Sequence, residues 1–139
     1  MSEQVYPEPA AGALILNKKG EIFLMKSPKW FGKLIIPGGH IELGETWEKA
    51  LKREVREETD LNISNIKMIN VQEAIYPKWF WKKKHFIFLE FSCKTKNTKV
   101  KLDGREGTAY IWVKPRKALK MNVSPFVKKI IRAYLNENH

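Results

Sequence analysis

The sequence predicts an α/β domain: a mixed β-sheet covered by one helix in mid-chain and a second at the C-terminus. Three observations carry that expectation. Segments 46–59 and 124–136 repeat their apolar residues at helical spacing. Short apolar runs elsewhere alternate with Gly, Pro and Asn punctuation, the pattern of strands and turns. One run, Lys84–Thr95, is apolar on both alternating faces, as in a central strand covered on both sides.

In chain order, Ala11–Asn17 and Glu21–Lys26 are apolar runs joined by Asn17-Lys18-Lys19-Gly20, so they read as a β-hairpin. Leu34–Ile36 is a third short strand, stopped by Pro37-Gly38-Gly39. Thr46–Thr59 is a helix. Ile63–Ala74 is a strand or a pair of strands. In Lys84–Thr95, Phe86, Phe88 and Glu90 share one face, and Ile87, Leu89 and Phe91 the other. Tyr110–Val113 is the last strand. Ser124–Asn136 closes the chain as a helix with an apolar stripe of Phe126, Val127, Ile130, Ile131, Tyr134 and Leu135. Ser124 is placed to cap it, and Pro125 suits its first position.

A chain of 139 residues suits one domain, 1–139. The lone cysteine, Cys93, excludes an internal disulfide framework. No run approaches the roughly 20 apolar residues of a membrane span, and the N-terminus lacks a basic start followed by an apolar core. A cytoplasmic protein with no membrane partner is expected. The net charge of +11 favours anionic partners, nucleotides and nucleic acid among them. His40 and His85 have no second His or Cys at ligand spacing, which argues against zinc.

The mid-chain helix breaks its own pattern. On a helical wheel, Trp47, Ala50, Leu51 and Val55 form the packing arc, and Glu48, Lys49, Lys52, Arg53, Arg56 and Thr59 the solvated one. Glu54 and Glu58 fall inside the packing arc, with Glu57 at its edge. Carboxylates there lose hydration. Glu54 and Glu58 repel at i,i+4, and Glu57 and Glu58 sit in the last turn, where the helix dipole disfavours anions. A shared divalent cation offsets all three penalties, and hard carboxylate oxygens suit Mg²⁺ or Mn²⁺. Pairing with Lys or Arg is the competing explanation.

The acids sit in a longer pattern. From Gly39 the chain reads Gly-(five)-Glu45-(seven)-Arg53-Glu54-Val55-Arg56-Glu57-Glu58-Thr59-Asp60-Leu61, 23 residues in all. This resembles the Nudix box, Gly-x5-Glu-x7-Arg-Glu-U-x-Glu-Glu-x-Gly-U, with U aliphatic. The one departure is Asp60 for the final glycine. Asp tolerates the left-handed conformation better than most residues, so a modest stability cost is expected. Pro37-Gly38-Gly39 is similar to the family's loop before the box helix, and Lys29-Trp30-Phe31-Gly32-Lys33 to its Trp-containing lead-in.

The resemblance implies a Nudix α/β/α sandwich and a metal-dependent pyrophosphohydrolase that cleaves a nucleoside diphosphate linked to another group. A free nucleotide such as a (d)NTP is the expected substrate. ADP-ribose or nucleotide-sugar hydrolysis, action on RNA 5′ ends and a silent nucleotide-binding regulatory module are the alternatives. It implies Mg²⁺ (or Mn²⁺) ligands at Gly38 (through its carbonyl), Glu54, Glu57, Glu58 and Glu106. Glu54 or Glu106 is the general base, supported by Arg53 and Glu45. Gly39, Lys33, Trp79 and Asn122 are the substrate-binding candidates. Lys33 and Trp79 lie in Lys/aromatic clusters suited to stacking a base and holding phosphate. Asn122 resembles a base-reading asparagine of MutT-like members. Either a monomer or a homodimer is compatible with the sequence.

Overall fold

The computed structural model describes residues 4–137. Its elements are β1 (Glu8–Leu16), β2 (Ile22–Lys26), β3 (Leu34–Ile35), β4 (Gly38–His40), α1 (Trp47–Thr59), β5 (Ser64–Ile75), β6 (His85–Lys94), β7 (Ala109–Val113), α2 (Pro115–Ala118) and α3 (Pro125–Glu137). The seven strands form one mixed sheet.

β1 organises the sheet. One edge runs parallel to β6 along its whole length, from Glu8 opposite Phe86 to Leu16 opposite Lys94. Its other edge is divided. β4 pairs antiparallel with Ala10–Gly12, and β2 leaves through the predicted hairpin at Leu16 opposite Ile22. In that turn Asn17 Oδ1 accepts the backbone N–H groups of Lys19 and Glu21. β2 then pairs with β7 along Ile22–Lys26 and briefly with β3. β5 is a single strand, kept against β6 through two register shifts.

The two long helices cover opposite faces. Phe88 and Phe91 of β6 point to opposite sides by strand alternation. The Trp47 ring of α1 lies 6.2 Å from Phe91, and Phe126 of α3 lies 5.8 Å from Phe88. Leu51 and Val55 of α1, and Val127, Ile130 and Ile131 of α3, are buried in the core. The expected α/β/α sandwich, with β6 interior to the sheet, is present. No helix of the described residues is long and apolar enough to cross a membrane.

Four local expectations need correction. Pro37-Gly38-Gly39 does not simply stop a strand, because Gly38–His40 is itself β4. Only glycine permits this pairing at position 38, since a Cβ there would sit 2.1 Å from the Ala11 carbonyl oxygen. Trp47, placed on the packing arc, is 52% exposed at the first position of α1. Thr59, placed on the solvated arc, is buried; its hydroxyl donates to the Val55 carbonyl at 2.7 Å and accepts the Leu61 N–H. Ser124 precedes α3 with Pro125 at the start as expected. Its buried hydroxyl nonetheless has no hydrogen-bond partner among the described residues, so it makes no cap bond.

The ends of α1 follow the expected chemistry. Thr46 Oγ1 accepts the Lys49 N–H at 3.2 Å. Asp60 ends the helix in the left-handed region, φ 62°, and its N–H donates to the Arg56 carbonyl. The carbonyls of Glu58 and Thr59 accept N–H groups of Asp103 and Lys101, so the 101–103 segment satisfies two acceptors the helix leaves open.

Candidate active site

A cavity of about 260 Å³ opens beside the β4–β1 pairing, and Gly38, Gly39, Glu54, Glu58, Glu106 and Lys29 all line it. The helix register explains how Glu54 and Glu58 arrive together: i,i+4 residues stand on one face of α1, here the face toward β4. A Cβ on Gly39 would lie 2.5 Å from Glu54 Oε2. Glycine at 39 is therefore what lets the carboxylate rest against the β4 backbone.

Behind Glu54 stands an ion-pair network. Arg53 donates through Nε and Nη2 to both oxygens of Glu45, at 2.7 and 2.9 Å, and through Nη1 to Glu54 Oε1 at 2.7 Å. Its Nη2 also reaches the His40 carbonyl at 3.0 Å, tying α1 to β4. Such charge-assisted, two-pronged bonds fix direction as well as charge. The Arg53 hydrogen bonds, joined by the Glu42 N–H, hold the Glu45 carboxyl down at about 2. Arg53 in turn stays protonated well beyond any ordinary pH. Glu57 stands apart from the cavity lining, its side chain 58% exposed and 3.5 Å from Arg53 Nη1.

Glu58 is the strained member. It is 2% exposed, and its only described donor is the Gly38 N–H, to Oε1 at 3.3 Å. Oε2 is buried and has no donor among the described residues. Burial drives its pKa well above the usual carboxylate range, and the hydrogen-bonding and charged neighbour Glu54, then the charge of Glu106, push it further. Across the cavity, Lys29 Nζ meets Glu106 Oε1 at 2.5 Å.

The donor set fits a hard divalent cation. It offers oxygen ligands from acids that repel one another and an orphaned carboxylate oxygen aimed at no protein donor. Among the described residues no three of His, Cys, Asp or Glu already converge on one point. Glu54 and Glu58 are adjacent, Glu57 leans to Arg53, and Glu106 is engaged by Lys29.

The remaining substrate-binding candidates form a cluster of their own. Lys33 Nζ donates to Asn122 Oδ1 at 3.1 Å and lies 4.5 Å from the Trp79 ring centre. Distant in sequence, these three residues meet, but none of them lines the cavity.

The cavity's other wall was legible only at Trp30 and Phe80, which belong to the Lys/aromatic clusters; its remaining residues escaped sequence reasoning. Trp30, Phe80, Phe86, Phe88 and Phe126 line it together with Glu90 and Ser124. Glu90 is 4% exposed. Asn70 Nδ2 and Gln72 Nε2 donate to its Oε1 at 2.8 and 2.9 Å, and Gln72 Nε2 also lies 3.0 Å from Oε2. Burial pushes Glu90 up to about 7, against the pull of those amides. The signal was present, since Phe86, Phe88 and Glu90 share one face of β6. Local pattern alone assigned that face to core.

Comparison with known proteins agrees with this geometry. The NUDIX domain family model matches residues 6–134. The chain is 29% identical over 137 residues to the 8-oxo-dGTP diphosphatase of Haemophilus influenzae, covering 93% of this chain and 92% of that one. It is 32% identical over 107 residues to the nucleoside triphosphatase NudI of Escherichia coli K12, covering 73% and 75%. The crystal structure of a MutT protein from Methanosarcina mazei superposes with a TM-score of 0.77 at 25% identity, over 99% of this chain and 100% of that one. A family match spanning nearly the whole chain, on a fold that brings the box acids Glu54 and Glu58 to one cavity, places this protein in the Nudix family, as a Nudix hydrolase.

Proposed function

We propose that the protein hydrolyses the diphosphate bridge of a free nucleoside triphosphate, with Mg²⁺ or Mn²⁺ as its cofactor. The observation that carries this reading is a single cavity that joins Glu54 and Glu58 to a wall of aromatic rings. A polyphosphate needs charge at one end, and a base needs flat apolar surface at the other. The names of the relatives, an 8-oxo-dGTP diphosphatase and a nucleoside triphosphatase, support the same substrate class.

Glu54, Glu57, Glu58 and Glu106, with the Gly38 carbonyl, would hold the cation. When bound, it neutralises phosphate charge and makes a coordinated water more acidic. The chain's own groups do the rest. Arg53 fixes one oxygen of Glu54, and Glu54 lines the cavity, where its carboxylate can take a proton from the attacking water. Glu106 is the second candidate for that proton. Lys29 supplies a positive charge beside it for phosphate oxygens. Glu45 keeps Arg53 in place from behind and does not line the cavity.

The test is a product-resolved screen of nucleoside triphosphates, ADP-ribose, nucleotide sugars and dinucleoside polyphosphates with each metal. A nucleoside monophosphate plus pyrophosphate from a triphosphate is the expected result. Turnover confined to ADP-ribose or nucleotide sugars would move the assignment to those substrates. Nucleotide binding with no turnover of any compound would leave a binding module.

A further inference from the structure

We infer that Glu90 and Ser124 read the base of the substrate and select nucleotides whose base carries an exocyclic amino group. The inference rests on the nucleotide reading above and extends it to the far end of the same cavity.

Strand register sets the distance. Gly38, Gly12 and Glu90 lie opposite one another on the adjacent strands β4, β1 and β6. Two strand spacings separate Glu90 from the glycine beside the acids, roughly 10 Å in the plane of the sheet. Ala10 and Gly12 between them carry almost no side chain, which keeps the cavity floor low. The rings around Glu90 are suited to a flat guest. Phe86 and Phe88 are stacked at 5.2 Å and 18°, and Trp30 lies 5.9 Å from Phe126.

Hydrogen-bond capacity then specifies the guest. Above about pH 7, where Glu90 is ionised, its carboxylate has about four acceptor sites. The amides of Asn70 and Gln72 account for two contacts on Oε1 and one on Oε2 of Glu90, which leaves acceptor capacity on Oε2. The Ser124 hydroxyl, 1% exposed and lining the same cavity, has no hydrogen-bond partner among the described residues. A purely structural bracket explains why Gln72 also donates to the Phe126 carbonyl. It explains neither the spare acceptor nor the idle hydroxyl. Buried polar groups left unpaired are a standing cost, and a ligand that pairs them recovers it. A carboxylate accepts N–H groups and repels carbonyl oxygens. Bases with an amino group on the reading edge, such as guanine and cytosine, therefore suit it. Uracil and hypoxanthine present a carbonyl or a bare C–H where that amino group would be.

The experiment compares matched pairs on the full chain at about pH 8, where Glu90 is ionised: CTP against UTP, and GTP against ITP. GTP and ITP differ only at the amino group in question; CTP and UTP differ there and at N3, which carries a hydrogen only in uracil, so the GTP/ITP ratio decides where the two pairs disagree. The wild type should favour the amino-bearing member about tenfold or more in kcat/KM, as for one good base contact. Glu90→Gln, close in shape but with an N–H in place of an acceptor, should bring each ratio to within about threefold, mainly through KM. Ser124→Ala should weaken the ratios by a smaller factor. Thermal melting checks that both variants fold, and Ser124→Ala with the wild-type ratios decides the matter if Glu90→Gln does not. Equal rates within the wild-type pairs, or undiminished ratios in a folded Glu90→Gln, overturn the inference while leaving nucleotide hydrolysis intact. If none of the four is turned over, the functional reading fails instead. Equilibrium binding of the same pairs then decides on Glu90, and equal affinities overturn it.

Discussion

Glu58 and Glu90 are both buried, both line the same cavity, and both have raised pKa values, yet their surroundings differ. Glu90 receives two side-chain amides across β5 and β6. Glu58 receives one backbone N–H at 3.3 Å and faces two further acids, Glu54 and Glu106. The protein meets most of the hydrogen-bonding needs of the first carboxylate and leaves the second incomplete. A buried acid among acids is stable only with a proton or a cation between them. The difference marks the Glu58 end as the place for charge chemistry and the Glu90 end as a place for recognition.

The sharpest way to break that contrast is to substitute acids of α1 at the Glu58 end. Glu54→Gln and Glu57→Gln should each lower kcat by about 10²–10⁴-fold, the usual scale for a lost proton-transfer or ligand group. Far-ultraviolet circular dichroism and melting should show the fold intact. Steady-state rates with saturating metal check this, and near-wild-type rates in both variants would remove the acids from the chemistry. Glu57 is the more exposing test. It stands outside the cavity lining, so its role requires that the Arg53 contact yield when metal binds.

The two ends should also separate by pH. Glu90 rises from 4.5 to about 7 on folding, chiefly through burial. A folded pKa above the unfolded one means that the folded chain holds the extra proton between those values. The stabilisation is complete below about pH 4.5 and is lost as pH rises through 7, by about 3 kcal/mol. Glu58 contributes a slope of the same sign, and it remains in a Glu90→Gln variant. The stability of Glu90→Gln relative to wild type should therefore improve between pH 5 and pH 8. A constant difference across that range, from urea unfolding at each pH, would mean that Glu90 is not desolvated as its burial implies.

Metal should act on one end alone. At about tenfold excess over its dissociation constant, Mg²⁺ should stabilise the fold by roughly 1.4 kcal/mol. Glu58→Gln should lose most of that increment and Glu90→Gln none of it. Calorimetric melts with Mg²⁺ and with chelator distinguish these outcomes. An equal metal response in both variants would dissolve the distinction between the ends.

Why the Glu58 end was readable from sequence, and the Glu90 end was not, follows from range. Glu54, Glu57 and Glu58 are related by helical spacing within five residues, so their conflict with the packing arc is a local fact. The Arg53–Glu45 support spans eight residues and one loop, and the box pattern fixes its spacing. The Glu90 end is assembled from β5, β6, α3 and the Trp30 turn. Alternation along β6 gave the correct face for Phe86, Phe88 and Glu90 but could not tell a cavity from a core. The same gap explains Ser124, where local pattern indicates a cap and tertiary placement leaves the hydroxyl facing a cavity. Lys33, Trp79 and Asn122 show the converse. Chemistry singled out Lys33 and Trp79, and resemblance Asn122; the three do come together, at a site beyond the cavity lining.

The smallest effect concerns the one box position that departs from the pattern. Asp60 holds φ 62°, a region costing most side-chain-bearing residues about 1–2 kcal/mol and Asp somewhat less. Glycine would relieve that strain but would also loosen the unfolded chain, so Asp60→Gly should gain only about 0.5 kcal/mol. The helix end is held independently by the N–H groups of Lys101 and Asp103 on the Thr59 and Glu58 carbonyls. Asp60 therefore only permits the turn, and the position of Glu58 does not depend on its side chain. The expected outcome is a slightly higher melting temperature with kcat/KM within twofold of wild type, whereas Asp60→Val should destabilise. A several-fold change in kcat for Asp60→Gly in a protein that melts normally would show that the turn does aim Glu58.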